Sequence, residues 1–163
     1  MLPITTLKGV YNMKKLSIFL VTLVIGTILV ACGGGETEQK TFTMNKENTK
    51  TEIEYTYNDK NDQVASQQMK SELTYEYLEF ADEEEAKAEL EPSLDEFNDI
   101  KGVTYELEFK EDRVIETTTI DFNTLAFDDA DKIPGFAFDG DPNDGISMEE
   151  TTKSLKANGF SEK

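Results

Sequence analysis

Polar and apolar residues alternate with a period of two through several stretches of this chain. Thr51-Glu52-Ile53-Glu54-Tyr55-Thr56-Tyr57 places Ile53, Tyr55 and Tyr57 on one side and polar residues on the other, the pattern of a half-buried strand. After the turn-forming Asn58-Asp59-Lys60-Asn61-Asp62, a second run carries Ala65, Met69, Leu73, Tyr75 and Tyr77 on one parity, so the two runs predict an antiparallel hairpin. Gly102 opens a second one: Val103-Thr104-Tyr105-Glu106-Leu107-Glu108-Phe109 alternates, Lys110-Glu111-Asp112 turns, and Arg113 to Phe122 is rich in β-branched residues.

Between the hairpins the period lengthens. Ala86, Leu90, Leu94 and Phe97 repeat at helical spacing behind Asp82, a capping residue with Glu85 three positions on. Pro92 interrupts this pattern, which predicts a kink or two short helices, with Ser93 and Glu96 as a second capping pair. The acidic run Asp82 to Glu85 suits the positive end of a helix dipole. Asn123 to Gly145 reads as loop, broken by Pro134-Gly135, Asp139-Gly140-Asp141-Pro142 and Asn143-Asp144-Gly145. A last helix is expected from Ser147 to Asn158, with Gly159 as left-handed terminator and Phe160 as the apolar residue after it. Paired strands with two helices on one face predict an α+β two-layer sandwich built on an antiparallel sheet.

The N-terminus follows a different logic. Leu16 to Ala31 is an uncharged apolar run preceded by Lys14-Lys15, too short for a comfortable membrane span and arranged like a secretory leader. Met13, directly before the basic pair, is the expected start. Leu29-Val30-Ala31-Cys32 matches a bacterial lipobox: small Ala31 admits the peptidase, and the Cys32 thiol lies at the membrane surface where it can become a diacylglyceryl thioether. The expected organisation is a leader over residues 1–31, a flexible tether over 32–40 behind Gly33-Gly34-Gly35, and one α+β domain over 41–163. Two or three acyl chains give stable attachment where one would hold marginally. The product is expected at the outer face of the cytoplasmic membrane, or in an outer membrane where the host has one.

Composition narrows the chemistry. No His and no Trp occur, and Cys32 is the sole cysteine, which excludes imidazole catalysis, an intrachain disulfide and a cysteine-cluster zinc site. The formal charge is −18, and residues 32–163 hold 13 basic and 34 acidic residues, a net of −21. That balance excludes nucleic acid as a partner, since phosphate neutralisation needs Lys and Arg. It also predicts that the domain is held off an anionic bilayer rather than lying on it. Abundant acids guarantee a carboxylate pair somewhere, so none singles out an active site, and no cofactor loop or nucleophile motif is present. A monomeric non-enzyme without cofactor is expected.

The lipobox leader, the Tyr-x-Tyr hairpin, the acidic Ala/Leu helix and Gly102-Val103 before a strand together resemble the YehR-type bacterial lipoproteins. So does Gly140-Asp141-Pro142 followed by Gly145-Ile146-Ser147-Met148 before a helix ending Asn158-Gly159-Phe160. The resemblance covers most of Cys32 to Lys163. It implies a two-layer sandwich on a lipid anchor and no activity, because the family has no assigned one.

Two places could hold a ligand. Within Asp139 to Glu150, the residues Asp139, Asp141, Asn143 and Glu150 fall at the first, third, fifth and twelfth positions of a calcium loop. Asp144 stands where the loop needs Gly, and the same residues read as turns followed by a cap formed by Ser147 and Glu150. Tyr55, Tyr57, Tyr75, Tyr77 and Tyr105, with Phe109, share the inward parity and would form either the sheet core or the floor of a groove for sugars or peptides. The leading expectation is a binding or interaction module contacting an envelope protein or small ligand. A Ca²⁺- or small-ligand-binding lipoprotein is the alternative, and a leader-derived peptide pheromone precursor the third.

Overall fold

The computed structural model describes residues 36–125, 132–133 and 145–163. Among these, six strands form one antiparallel sheet: β1 (Thr37–Lys46), β2 (Thr49–Asn58), β3 (Gln63–Thr74), β4 (Val103–Phe109), β5 (Arg113–Asp121) and β6 (Ser161–Glu162), in the order β4-β5-β3-β2-β1-β6. Three helices complete the α+β fold: α1 (Glu83–Leu90), α2 (Ser93–Asn98) and α3 (Met148–Ala157). Both expected hairpins are present, as β2–β3 and β4–β5. The structure adds β1 and β6, and of the two readings of the Pro92 pattern, a kink or two short helices, it has the second, α1 and α2.

Register carries one set of side chains across the whole sheet. Phe42, Ile53, Met69, Thr118 and Tyr105 lie in one cross-strand row, and Lys40, Tyr55, Gln67, Ile120 and Val103 in the next. Phe42, Val114 and Ile120 are wholly buried here. Each such side chain contributes about 1.5–3 kcal/mol of burial. Met148 and Leu155 of α3 pack on the Phe42 to Val64 cluster, while Ala86 and Leu90 of α1 join Tyr75 and Val114. Phe97 of α2 meets the Tyr105 ring edge-on at 4.9 Å. The opposite parity is polar, with Glu54, Lys70, Thr117 and Glu106, as suits a sheet with one solvated face.

The pairing of β2 with β3 shifts between Thr56 and Tyr57, so Tyr57 pairs with Val64 while Thr56 pairs with Ser66. Ala65 is the extra residue of this bulge, and Val64 rather than Ala65 is buried. The single parity expected for the second run is therefore broken at its start.

The helix ends match the expected caps in two of three cases. Asp82 accepts from the backbone N–H groups of Glu84 and Glu85, and the Glu85 side chain returns to the Ala81 N–H at 2.7 Å. At α3, the Phe160 N–H bonds the Leu155 carbonyl and the Gly159 N–H that of Lys156, closing a Schellman turn with Gly159 at φ +91°. Ser93 does not cap α2; Pro92 occupies that position, and the Ser93 hydroxyl donates back to the Leu90 carbonyl. Asn98 instead brackets the outer strand: its amide donates to the Tyr105 carbonyl and accepts from the Tyr105 N–H, covering part of the β4 edge.

The expected tether over 32–40 is corrected at its C-terminal end. The Asp59 N–H bonds the Glu36 carbonyl, and Thr37 to Lys40 are strand residues paired with Asn58 to Tyr55. The sequence offers little sign of this, since β1 carries only Phe42 and Met44 as apolar inward residues.

Candidate functional site

The tyrosines fall into two groups. Tyr55, Tyr57, Tyr75 and Tyr105 are all buried, and their rings belong to the sheet core. Desolvation raises the Tyr55 phenol to about 12. Three of the hydroxyls reach fixed partners: Tyr57 donates to Glu38 Oε2 at 2.6 Å, Tyr75 to the Lys110 carbonyl at 2.6 Å, and Tyr105 to Glu116 Oε1 at 3.1 Å. The bond to Glu38 is the main cause that lifts Tyr57 to about 12. Tyr77 is a correction. β3 ends at Thr74, the chain turns with the Leu78 N–H on the Thr74 carbonyl, and Tyr77 is 56% exposed beyond the sheet. The five tyrosines thus do not form one open ring-lined floor.

Glu116 was not singled out by sequence, although its parity with Val114, Thr118 and Ile120 on β5 points it inward. It lies in a cross-strand row with Thr51, buried Ser71 and Leu107, two positions from buried Thr118. Desolvation holds its carboxyl above the ordinary carboxylate range, and the Tyr105 hydroxyl offsets part of this. A raised acid invites a catalytic reading. Its carboxylate accepts from a core phenol, so the geometry gives it a structural partner.

The β2–β3 turn builds a second arrangement. Asp62 takes a left-handed conformation, φ +59°, and its carboxylate meets the start of α3. Ser147 Oγ donates to Asp62 Oδ2 at 2.5 Å and the Glu149 N–H reaches both carboxylate oxygens at 3.2 Å, while the Met148 N–H bonds the Asp62 carbonyl. Ser147 Oγ in turn accepts from the Glu150 N–H at 3.1 Å. The first three N–H groups of α3 are thereby all satisfied. Of the calcium-loop candidates, Asp139, Asp141 and Asn143 lie outside the described residues; Glu150 sits in the first turn of α3 with its backbone on the Ser147 cap. Among the described residues no three acidic or other metal-binding side chains gather. Cys32 with Leu29, Val30 and Ala31 also lies outside the described residues.

Beside this capped turn opens a cleft of about 500 Å³. Glu38, Lys40, Tyr57 and Asp59 line one wall, and Thr152, Lys153 and Lys156 of α3 the other. Lys40 Nζ lies 5.4 Å above the Tyr57 ring, Lys153 pairs with Glu149 and Lys156 with Glu162. The Thr152 hydroxyl is buried without a hydrogen-bond partner among the described residues. A smaller groove of about 340 Å³, at the far end of the β1–β2 hairpin, is lined by Met44, Leu73 and Tyr77 among others. Neither had a local sequence signal, because each is walled by separate segments of the chain, residues 38–62 with 149–156 in the larger and 44–51 with Leu73 and Tyr77 in the smaller.

Two curated relatives span nearly the whole chain. The uncharacterized lipoprotein Lmo0207 of Listeria monocytogenes is 36% identical over 150 residues, 92% of this chain and 96% of its own length. The uncharacterized lipoprotein Lin0239 of Listeria innocua is 35% identical over the same shares. Their names agree with the lipobox at Cys32. The NMR structure of the Escherichia coli YehR protein superposes with a TM-score of 0.67 at 28% identity, covering 80% of this chain and 93% of that one. An NMR structure of a protein from Streptococcus pneumoniae TIGR4 shares the fold at a TM-score of 0.55 and 18% identity, over 81% and 88% of the two chains. The resemblance to YehR-type lipoproteins is thus met in sequence and in structure. With its model matching residues 38–161, the chain belongs to DUF1307, a family of proteins of unknown function.

Proposed function

We propose that the mature protein begins at Cys32, carries its lipid there, and displays a two-layer α+β body outside the cytoplasmic membrane as a non-catalytic binding module of the cell envelope. The observation that carries this reading is the sequence Leu29-Val30-Ala31-Cys32 behind a basic, then apolar, leader, with Glu36, four residues later, already bonded to the body through the Asp59 N–H. A cysteine so placed is at the bilayer surface when processed, and diacylation gives lasting attachment where one chain would not. The lipoprotein names of the relatives support it. The non-catalytic part is supported by the site chemistry: the half-buried acid Glu116 is bonded to a core phenol, and Lys153 and Lys156 of the cleft are each paired with a carboxylate. Binding is the task left to a surface with two open grooves.

Mass spectrometry of the native protein tests the anchor. The expected N-terminus is Cys32 bearing a diacylglyceryl thioether; an unmodified thiol in mature material, or a retained leader, refutes it. Crosslinking in intact cells tests the module. A reproducible partner lost on substitution within one groove supports it, whereas turnover on a hydrolase panel abolished by Glu116→Gln would replace it with an enzyme.

A further inference from the structure

Chain that is hydrogen-bonded to the sheet lies very close to the anchor. Four residue steps separate Cys32 from Glu36, and a fully extended chain covers about 3.3–3.6 Å per step, so the span is at most roughly 14 Å. Glu36 is fixed by the Asp59 N–H on its carbonyl, and Thr37 pairs with Asn58. The end of the sheet bearing the β2–β3 turn and the capped start of α3 is therefore the end nearest the membrane. The opposite end, with the β1–β2 turn at Glu47 and Asn48, lies about 30 Å further out along β2, which is 10 residues long.

The larger cleft opens at the near end, and its lining has both signs. Lys40, Lys153 and Lys156 stand against Glu38, Asp59, Asp62 and Glu149. Asp62 is committed to the α3 cap and Glu38 to the Tyr57 hydroxyl. Lys153 and its partner Glu149 are largely exposed, and Lys156 is half-exposed; such surface pairs contribute little and exchange partners readily. A purely anionic ligand meets the acids and the −21 body. A ligand that carries a phosphate beside an ammonium meets neither obstacle. We propose that this cleft faces the bilayer and takes the headgroup of a zwitterionic phospholipid, phosphate toward Lys153 and Lys156, ammonium toward Asp59. This rests on lipidation of Cys32. The tether makes the contact intramolecular, so weak intrinsic affinity suffices.

The test uses the full lipidated chain, its Cys32 acylation verified by mass, in phosphatidylethanolamine vesicles containing a headgroup-quencher lipid. With Cys32 blocked by lipid, Lys60→Cys and Glu47→Cys each provide one thiol for a fluorophore. Quenching at position 60 is expected to exceed that at position 47 at least about threefold, given a separation of roughly 30 Å along the sheet. The pair Lys153→Gln and Lys156→Gln, shown folded by an unchanged melting curve, is expected to reduce the quenching at position 60. Equal quenching at both positions in acylated protein overturns the orientation, and unchanged quenching in the double variant overturns headgroup capture. An unacylated Cys32 overturns the anchor itself, and this proposal with it.

Discussion

Removing the Asp62 side chain should unfasten α3 from the sheet. The carboxylate receives the Ser147 hydroxyl at 2.5 Å and the Glu149 N–H at 3.2 Å, at the positive end of the helix. Hydrogen bonds to a charged group contribute about 1.5–3 kcal/mol when well desolvated, and caps about 0.5–2. Asp62 is only partly buried, so water replaces part of what is lost, and Asp62→Gly should cost about 2 kcal/mol. Asp62→Ala loses the same bonds but keeps a Cβ in the left-handed region, φ +59°, which Asp62→Gly removes. That strain is about 1–2 kcal/mol, set against the lower unfolded-state entropy of Ala, so the alanine variant should be worse than the glycine variant by about 0.5–1 kcal/mol. Asp62→Asn keeps an acceptor and tolerates the backbone, and should cost about 1 kcal/mol. Urea unfolding followed by far-UV circular dichroism gives all three values at constant slope. A glycine variant within about 0.5 kcal/mol of the parent, or an alanine variant no worse than glycine, refutes the tertiary cap as argued.

Glu116 gives a pH-dependent prediction. Its folded carboxyl is raised above the unfolded value by burial, so its folded-state contribution is fully present below the unfolded pKa and is lost as pH rises through the folded one. Glu116→Gln, which keeps an oxygen for the Tyr105 hydroxyl, should raise the melting temperature at pH 7 and leave it near the parent at pH 4; the opposite ordering would count against a desolvated acid. At Gly159 a Cβ would meet nothing within 4 Å, so Gly159→Ala tests backbone strain alone at φ +91°. It should destabilise by about 0.5–1 kcal/mol in chemical denaturation, and a neutral result would remove the Schellman turn from the stability argument.

The sequence by itself determined what is local. Period two produced the two hairpins because strict alternation suits only a half-buried strand, and the Asp82, Ser147 and Gly159 signals placed helix ends because each satisfies backbone groups within a turn of itself. The lipobox was likewise readable from consecutive residues. Tertiary structure decided what depends on partners distant in the chain. β1 is a strand because the β2 edge and the core beneath Phe42 hold it, not because Thr37-Glu38-Gln39-Lys40 favours one. Asp62 reads as one more turn residue until Ser147, 85 positions later, meets it. The bulge at Ala65, the burial of Glu116 and both clefts depend on register and on which elements close over which face, and alternation records the parity of a strand without recording its neighbours.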